Sequence, residues 1–177
     1  MTTSLPATPA LSRRGLLKFS LGASAFLATA GLGASLSGCS AQSPARGFMT
    51  LREGDLPILQ ALIPVILAGT AAAENREALL QRLDYKLASL SPAMLKLTRQ
   101  LFDVLALAVT RGPLTGIWGN WEGASSEQVQ AFLRRWEHSS LNLLRMGHAS
   151  LLQLLQMAWY EMPESWAQCG YPGPPKV

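Results

Sequence analysis

Apolar residues recur at helical spacing along most of the chain between Asp55 and Glu161, and this periodicity limits the fold more than any other feature. Five segments show it, and each is bounded by a capping residue, a proline or a glycine. We expect helices at about 55–67, 71–90, 92–110, 126–138 and 141–161. The sequence therefore predicts an all-α protein, an irregular bundle of about five helices.

Local signals set the ends and breaks of these helices. Asp55 and Ser91 each stand as a plausible N-cap before a first turn that contains proline. Ser125 or Ser126 should cap the fourth helix, and Ser125 with Gln128 three residues later fits a capping box. Pro64 removes a backbone donor inside the first segment, so it should kink or divide that helix. The last segment is apolar over so broad a front that it is either central to the bundle or covered by another subunit.

A glycine-rich segment, 111–126, interrupts the helical pattern and carries two tryptophans. We expect an irregular loop here. Either Trp118 and Trp121 pack beneath the loop, or they contact another protein, since tryptophan is enriched at the energetically important positions of interfaces. We take both as candidate partner-binding residues.

The C-terminal residues 163–177 contain four prolines and two glycines, a composition typical of an extended, polyproline-like arm that becomes ordered by docking. Trp166, Tyr171 and Pro172 give this arm contact area for a partner. Cys169 lies among them. It is either a buried free thiol or one half of a disulfide to a partner chain.

The N-terminal residues predict where the protein goes. Arg13 and Arg14, followed by apolar residues and Lys18, are typical of a twin-arginine signal, which bacteria use to export folded proteins. The apolar stretch behind them, 21–36, is too short and too rich in small residues for a membrane-spanning helix. We therefore read residues 1–38 as a signal peptide and exclude them from the fold.

The signal ends in Leu-Ser-Gly-Cys, which resembles a bacterial lipobox with Cys39 as the acylated residue. Several acyl chains on one residue would anchor the protein stably in a membrane. The alternative is ordinary cleavage after Ala41. We expect a tether over 39–50, a helical domain over 51–162 and the arm over 163–177, with a periplasmic, membrane-associated protein that leans toward the outer membrane.

Charge and chemistry exclude several function classes. Arg13, Arg14 and Lys18 leave with the signal, so twelve of the fifteen basic residues remain against eleven acidic ones, a net charge of about +1. A nucleic-acid binder needs a basic stripe on the domain itself, and we expect none. His138 and His148 are ten residues apart and do not face one another on a helix, so we expect no metal site. Asp103 should be satisfied by an arginine or a backbone donor, and we assign no catalytic residue.

Several short segments together resemble the small subunit of membrane-bound FAD-dependent sorbitol dehydrogenase, a family similar in role to the small subunit of bacterial FAD-dependent glucose dehydrogenase. The resemblance spans most of the chain after the signal, and its most specific piece is the C-terminal Gly-Tyr-Pro-Gly-Pro-Pro. The segments that carry it are TGIWGNW (115–121), FLRRW (132–136), AWY (158–160), SW (165–166) and GYPGPP (170–175). The lipobox departs from what is expected of a purely soluble small subunit.

The resemblance implies a non-catalytic subunit of a sugar or polyol dehydrogenase complex. Its large partner would be a flavoprotein of the glucose-methanol-choline type that holds FAD, and a cytochrome c subunit would pass electrons onward. It implies no cofactor and no catalytic residue in this chain. Twin-arginine export suits a carrier that binds the FAD-loaded partner in the cytoplasm and lends it the signal. The other classes left open are an independent helical envelope lipoprotein and a small enzyme or redox carrier with its own chromophore or metal.

Overall fold

The computed structural model describes residues 43–173. Within this range the chain forms seven α-helices and one short 3-10 helix, and the β pairing found there is an isolated bridge between Pro44 and Arg52. The helices are α1 (Leu56–Ile66), α2 (Arg76–Ala88), α3 (Pro92–Ala106), α4 (Ala108–Thr115), the 3-10 helix (Trp121–Gly123), α5 (Ser126–Glu137), α6 (Asn142–Tyr160) and α7 (Pro163–Cys169). The prediction of an all-α bundle is confirmed, with seven helices where about five were expected.

Helix α1 lies at the centre of the bundle, because α2, α3, α5, α6 and the 3-10 helix all pack against it. Ile58, Leu59, Leu62 and Ile63 are fully buried along it. Pro64 was predicted to kink or divide this helix; it lies inside α1 without dividing it, so the division is wrong. The helix ends only two residues later, at Ile66. The hydrogen bond that Pro64 cannot donate therefore belongs to the last turn of the helix, and few further bonds follow it.

Three aromatic rings connect α5 to the 3-10 helix in the core. Phe132 meets Trp121 edge to face at 5.9 Å between ring centroids, and it meets Trp136 in the same way at 4.9 Å. Such edge-to-face pairs contribute about 0.5–1.5 kcal/mol beyond the area they bury. The stack therefore fixes the position of α5 against the centre of the bundle.

The long helix predicted over 92–110 is two helices. The chain turns at Leu107, whose backbone is extended, and α4 begins immediately after it. The Thr110 hydroxyl donates to the Val104 carbonyl at 2.7 Å and lies 3.1 Å from the Leu107 carbonyl, which also accepts from the Arg111 N–H at 2.8 Å. Helix α4 then continues through Pro113 to Thr115, and the predicted irregular loop is correspondingly shorter.

The predicted tether over 39–50 is wrong from Ser43 onward, because this part of the chain is folded against α2. The buried carboxylate of Asp84 accepts backbone hydrogen bonds from Met49 at 2.6 Å and from Thr50 and Leu51 at 2.8 Å each. Leu51 is itself buried, and its carbonyl accepts from the Ala45 N–H at 2.7 Å. Three backbone donors on one carboxylate explain why a segment of small and polar residues is held in place.

An ion cluster of the buried Arg52 and Asp55 with the half-exposed Asp103 joins the start of α1 to α3. The guanidinium of Arg52 donates to both oxygens of the Asp55 carboxylate at 2.9 and 3.0 Å, and to Asp103 at 2.7 Å. Burial by itself would lower the pKa of Arg52, but the hydrogen bonds and charges of Asp55 and Asp103 outweigh it and raise that pKa. The prediction that an arginine satisfies Asp103 is confirmed. Asp55 occupies the N-cap position of α1, yet its carboxylate binds Arg52 and caps no helix N–H.

Two predicted caps are confirmed. The Ser91 hydroxyl accepts from the Met94 N–H at the start of α3, with Pro92 in the first turn. Ser125 and Gln128 form a reciprocal capping box at the start of α5. Local side-chain chemistry therefore fixes the beginnings of both helices.

The C-terminal arm is helical over its first seven residues, which corrects the extended conformation predicted for 163–169. Pro163 occupies the first turn of α7, where its missing N–H is not needed. Ser165 is buried against the end of α6, and Gly170, with φ of 66°, ends the new helix in the left-handed region. Among the described residues no helix is both long and apolar enough to cross a membrane.

Candidate partner-binding site

An open apolar groove of about 570 Å³ runs between α3 and the first half of α6. Eleven of its fourteen lining residues are apolar or glycine, three are uncharged polar residues, and none is ionisable. We call this surface the apolar groove; it is lined by Met94, Leu97, Thr98, Gln100, Leu101, Val104, Leu114, Trp136, Leu141, Leu143, Leu144, Met146, Gly147 and Ser150.

The walls of the apolar groove expose large side chains to solvent. On α3, Met94 is 52% exposed and Leu97 is 59% exposed. On the α6 side, the exposed fractions are 61% for Leu141, 77% for Leu143 and 58% for Met146. Single exposed apolar residues are ordinary on a protein surface, but a contiguous set marks a binding surface.

Helix α3 is apolar on two sides, so it can pack in the core and also form one wall of the apolar groove. Phe102 and Leu105 point into the core, where both are fully buried. Leu97, Leu101 and Val104 recur at helical spacing and line the groove. One side of α3 therefore holds the helix in the bundle, and the other remains available.

Trp136 and Gly147 form the floor of the groove. Trp136 is buried, and its indole N–H donates to the Leu114 carbonyl at 3.0 Å. A Cβ atom added at Gly147 would lie 2.6 Å from the Trp136 ring. Glycine at this position thus allows the ring to lie directly against α6, and this close approach sets the depth of the groove.

The two tryptophans of the predicted loop lie in different environments. Trp121 is 3% exposed, and its indole N–H donates to the Leu105 carbonyl at 2.8 Å. It is a core residue with its polar atom satisfied, so its predicted contact with a partner is wrong. Trp118 is 76% exposed, and its ring lies over Gly112, where an added Cβ would be 2.5 Å away. Trp118 does not line the apolar groove.

The remaining predicted contact residues cluster at α7. Trp166 and Tyr171 pack edge to face at 5.6 Å between ring centroids, and the Trp166 indole donates to the Tyr160 carbonyl at 3.2 Å. Cys169 is exposed, so the alternative of a buried free thiol is wrong. Pro172 is also exposed. These residues form a second surface outside the apolar groove.

The remaining predicted site residues belong to the export signal and the lipidation site. Arg13, Arg14, Lys18 and Cys39 lie outside the described residues. Within 43–173, no three His, Cys, Asp or Glu side chains come close enough to hold a metal ion together.

Neither histidine belongs to a group of three possible metal ligands in the part of the chain that the structure describes. His138 follows α5 at the surface, where its ring nitrogen lies 2.9 Å from the Arg134 carbonyl. His148 is half-buried on α6.

The sequence predictions missed the apolar groove as a site, although its signals were present. The breadth of the apolar front over 141–161 indicated either a central helix or a covered one. The structure separates these alternatives along the same helix: Leu151, Leu155 and Trp159 are buried in its second half, whereas Leu143 and Met146 are exposed in its first half. On α3, helical spacing alone gives no reason to separate the exposed Met94 and Leu97 from the buried Phe102.

Comparisons with known protein families, with characterised proteins and with solved structures found no match to this chain. The resemblance to small dehydrogenase subunits thus stays a prediction.

Proposed function

We propose that this chain is a non-catalytic binding subunit whose apolar groove is covered by a folded partner protein. The observation that carries the proposal is the groove itself, where five large apolar side chains are each more than half exposed. Leaving such an area in water forgoes about 25 cal/mol for each Å² that a partner could bury. The groove therefore favours association over a solitary domain.

The identity of the partner is proposed from the sequence. The chain resembles the small subunit of FAD-dependent sorbitol and glucose dehydrogenases, and its twin arginines, Arg13 and Arg14, suit the export of a folded cargo. On this proposal the cargo is an FAD-containing flavoprotein of the glucose-methanol-choline type, and a cytochrome c subunit joins the complex. The small subunit supplies the signal, binds the flavoprotein and, through an acylated Cys39, holds it at the periplasmic face of a membrane.

The second surface supports the same proposal. Cys169 is exposed at the end of α7, where a partner cysteine could reach its thiol. Trp166 and Tyr171 lie beside it, with Trp118 exposed on the loop after α4. Tryptophan and tyrosine are enriched among interface residues that dominate binding energy. A disulfide through Cys169 would lock a complex whose affinity comes from these apolar contacts.

The first experiment is to purify the tagged full chain from its native envelope and to identify what accompanies it. We expect a yellow complex that contains a flavoprotein, because the FAD would be held by the partner. A colourless chain that elutes alone as a monomer contradicts the proposal and favours an independent envelope lipoprotein.

The export role has its own test. Replacing both arginines, Arg13→Lys with Arg14→Lys, should leave the flavoprotein and its dehydrogenase activity in the cytoplasm, since the partner would have no signal of its own. The measurement is flavin-linked activity in periplasmic and cytoplasmic fractions, with Arg76→Lys at an exposed position of α2 as the control. Normal export of the activity from the double variant would contradict the carrier role.

A further inference from the structure

The shape of the apolar groove limits what can occupy it. Its two walls are helices, α3 and the first half of α6, and its floor is formed by Trp136 where the ring lies against Gly147. A channel between two helices with a closed floor is the geometry in which a third helix packs, with its side chains set between those of the walls. Met94 and Met146 stand on opposite walls, and methionine adapts its shape to an inserted side chain.

The chemistry of the lining limits the inserted face. Its polar members, Thr98, Gln100 and Ser150, are uncharged, so no described side chain in the groove could pair with an inserted charge. A charged residue placed there would lose its hydration without compensation. The inserted face of the occupant must consist of uncharged, mainly apolar residues.

The charges of the two wall helices indicate what flanks that face. Helix α3 carries Lys96, Arg99 and Asp103, and Asp103 is already paired with Arg52. Helix α6 carries Arg145 and His148 and no acidic residue. Apart from the paired Asp103, the charges on the two wall helices are therefore basic, and an occupant with acidic flanking residues would be complementary to them.

This charge pattern argues against two occupants from the chain itself. A second copy would bring Lys96 and Arg145 toward the same basic helices of its partner. The N-terminal apolar stretch 21–36 follows three basic residues and no acidic ones, so it too would bring like charge.

We propose that the apolar groove binds one amphipathic helix of the flavoprotein partner, with an uncharged apolar face inserted and acidic residues on its flanks. This inference rests on the proposed function, because it names the segment of that partner which the groove recognises. The inserted residues would recur at i, i+3, i+4 and i+7, the spacing by which helices fill such grooves.

The first test places a charge in the groove. Leu143→Asp should lower the amount of flavoprotein retained per tagged chain at least about tenfold, because the carboxylate cannot be desolvated there. Leu143 is 77% exposed, so the variant should fold normally, which its unfolding curve would verify. Met157→Asp is the matched control, since Met157 is 48% exposed on the same helix but does not line the groove. Undiminished flavoprotein in Leu143→Asp would overturn the groove inference while the proposed function stands.

The second test identifies the occupant. A photo-reactive residue in place of Leu97 should cross-link to a single flavoprotein peptide whose sequence has helical apolar spacing and acidic flanks. Cross-linking to a second copy, to residues 1–42 of the same chain or to a non-helical segment would each overturn the inference. A wild-type preparation without any flavoprotein would overturn the proposed function and this inference together.

The third test addresses the charges alone. Lys96→Glu with Arg145→Glu should weaken the complex severalfold and reduce the dependence of its dissociation on salt. Arg76→Glu with Arg82→Glu makes the same change of charge on exposed positions of α2 and should have little effect. Equal affinities of the two double variants for the flavoprotein would overturn the inference that acidic residues flank the inserted face.

Discussion

Helix α1 and the first half of α6 are both rich in leucine, but the bundle covers only one of them. Five elements pack around α1 and bury Leu62 completely. On α6, Leu143 is 77% exposed in the wall of the apolar groove. The apolar character of a helix thus indicates that something covers it, and the packing of its neighbours decides whether the cover comes from the same chain. The fold itself covers α1, and we propose that a partner covers the apolar groove.

The largest effect should come from truncating the covered helix. Leu62→Ala removes a fully buried side chain and leaves a cavity, so we expect the free energy of unfolding to fall by about 2–5 kcal/mol. Urea unfolding of the full chain measures this loss. A loss below about 1 kcal/mol would mean that α1 is not the centre of the core.

A smaller effect should come from the floor of the groove. Gly147→Ala places a Cβ 2.6 Å from the Trp136 ring, and overpacking of this kind costs about 1–3 kcal/mol. Alanine returns up to about 1 kcal/mol in helix propensity, so we expect a net loss of about 1 kcal/mol.

Gly119→Ala is the control for this substitution, because nothing lies within 4 Å of the added Cβ there. If Gly147→Ala were as stable as this control, Trp136 would not be held against α6.

The smallest effect on stability should come from the wall of the groove. Leu143→Ala removes the same atoms as Leu62→Ala from a side chain that is 77% exposed, so the free energy of unfolding should change by no more than about 0.5 kcal/mol. The same substitution should weaken binding of the flavoprotein, which separates a binding role from a folding role. Loss of stability comparable to that of Leu62→Ala would show that the bundle itself covers Leu143.

Much of the fold could be predicted from the sequence because its signals are local. The Ser91 and Ser125 caps depend on residues three positions apart, and helical spacing placed three of the five main segments to within one residue. The helix predicted over 71–90 begins only at Arg76. Asp103 was predicted to be satisfied by an arginine or a backbone donor, and it pairs with Arg52.

The remaining features depend on contacts between distant residues. The break at Leu107 has no glycine or proline to announce it, and the folding of residues 49–51 depends on Asp84, more than thirty positions later. The apolar groove depends on which sides of α3 and α6 the core leaves uncovered. Sequence periodicity cannot distinguish a side that the core covers from one that a partner covers.

Methionine oxidation tests most directly whether a partner covers the apolar groove. Met94 and Met146 line the groove at 52% and 58% exposure, while Met49 and Met157 are 58% and 48% exposed elsewhere. All four should oxidise readily in the isolated chain. In the purified complex, we expect Met94 and Met146 to oxidise at least about tenfold more slowly, while Met49 and Met157 keep their rates. Unchanged oxidation rates of Met94 and Met146 in a complex that contains the flavoprotein would contradict the proposal that this partner covers the apolar groove.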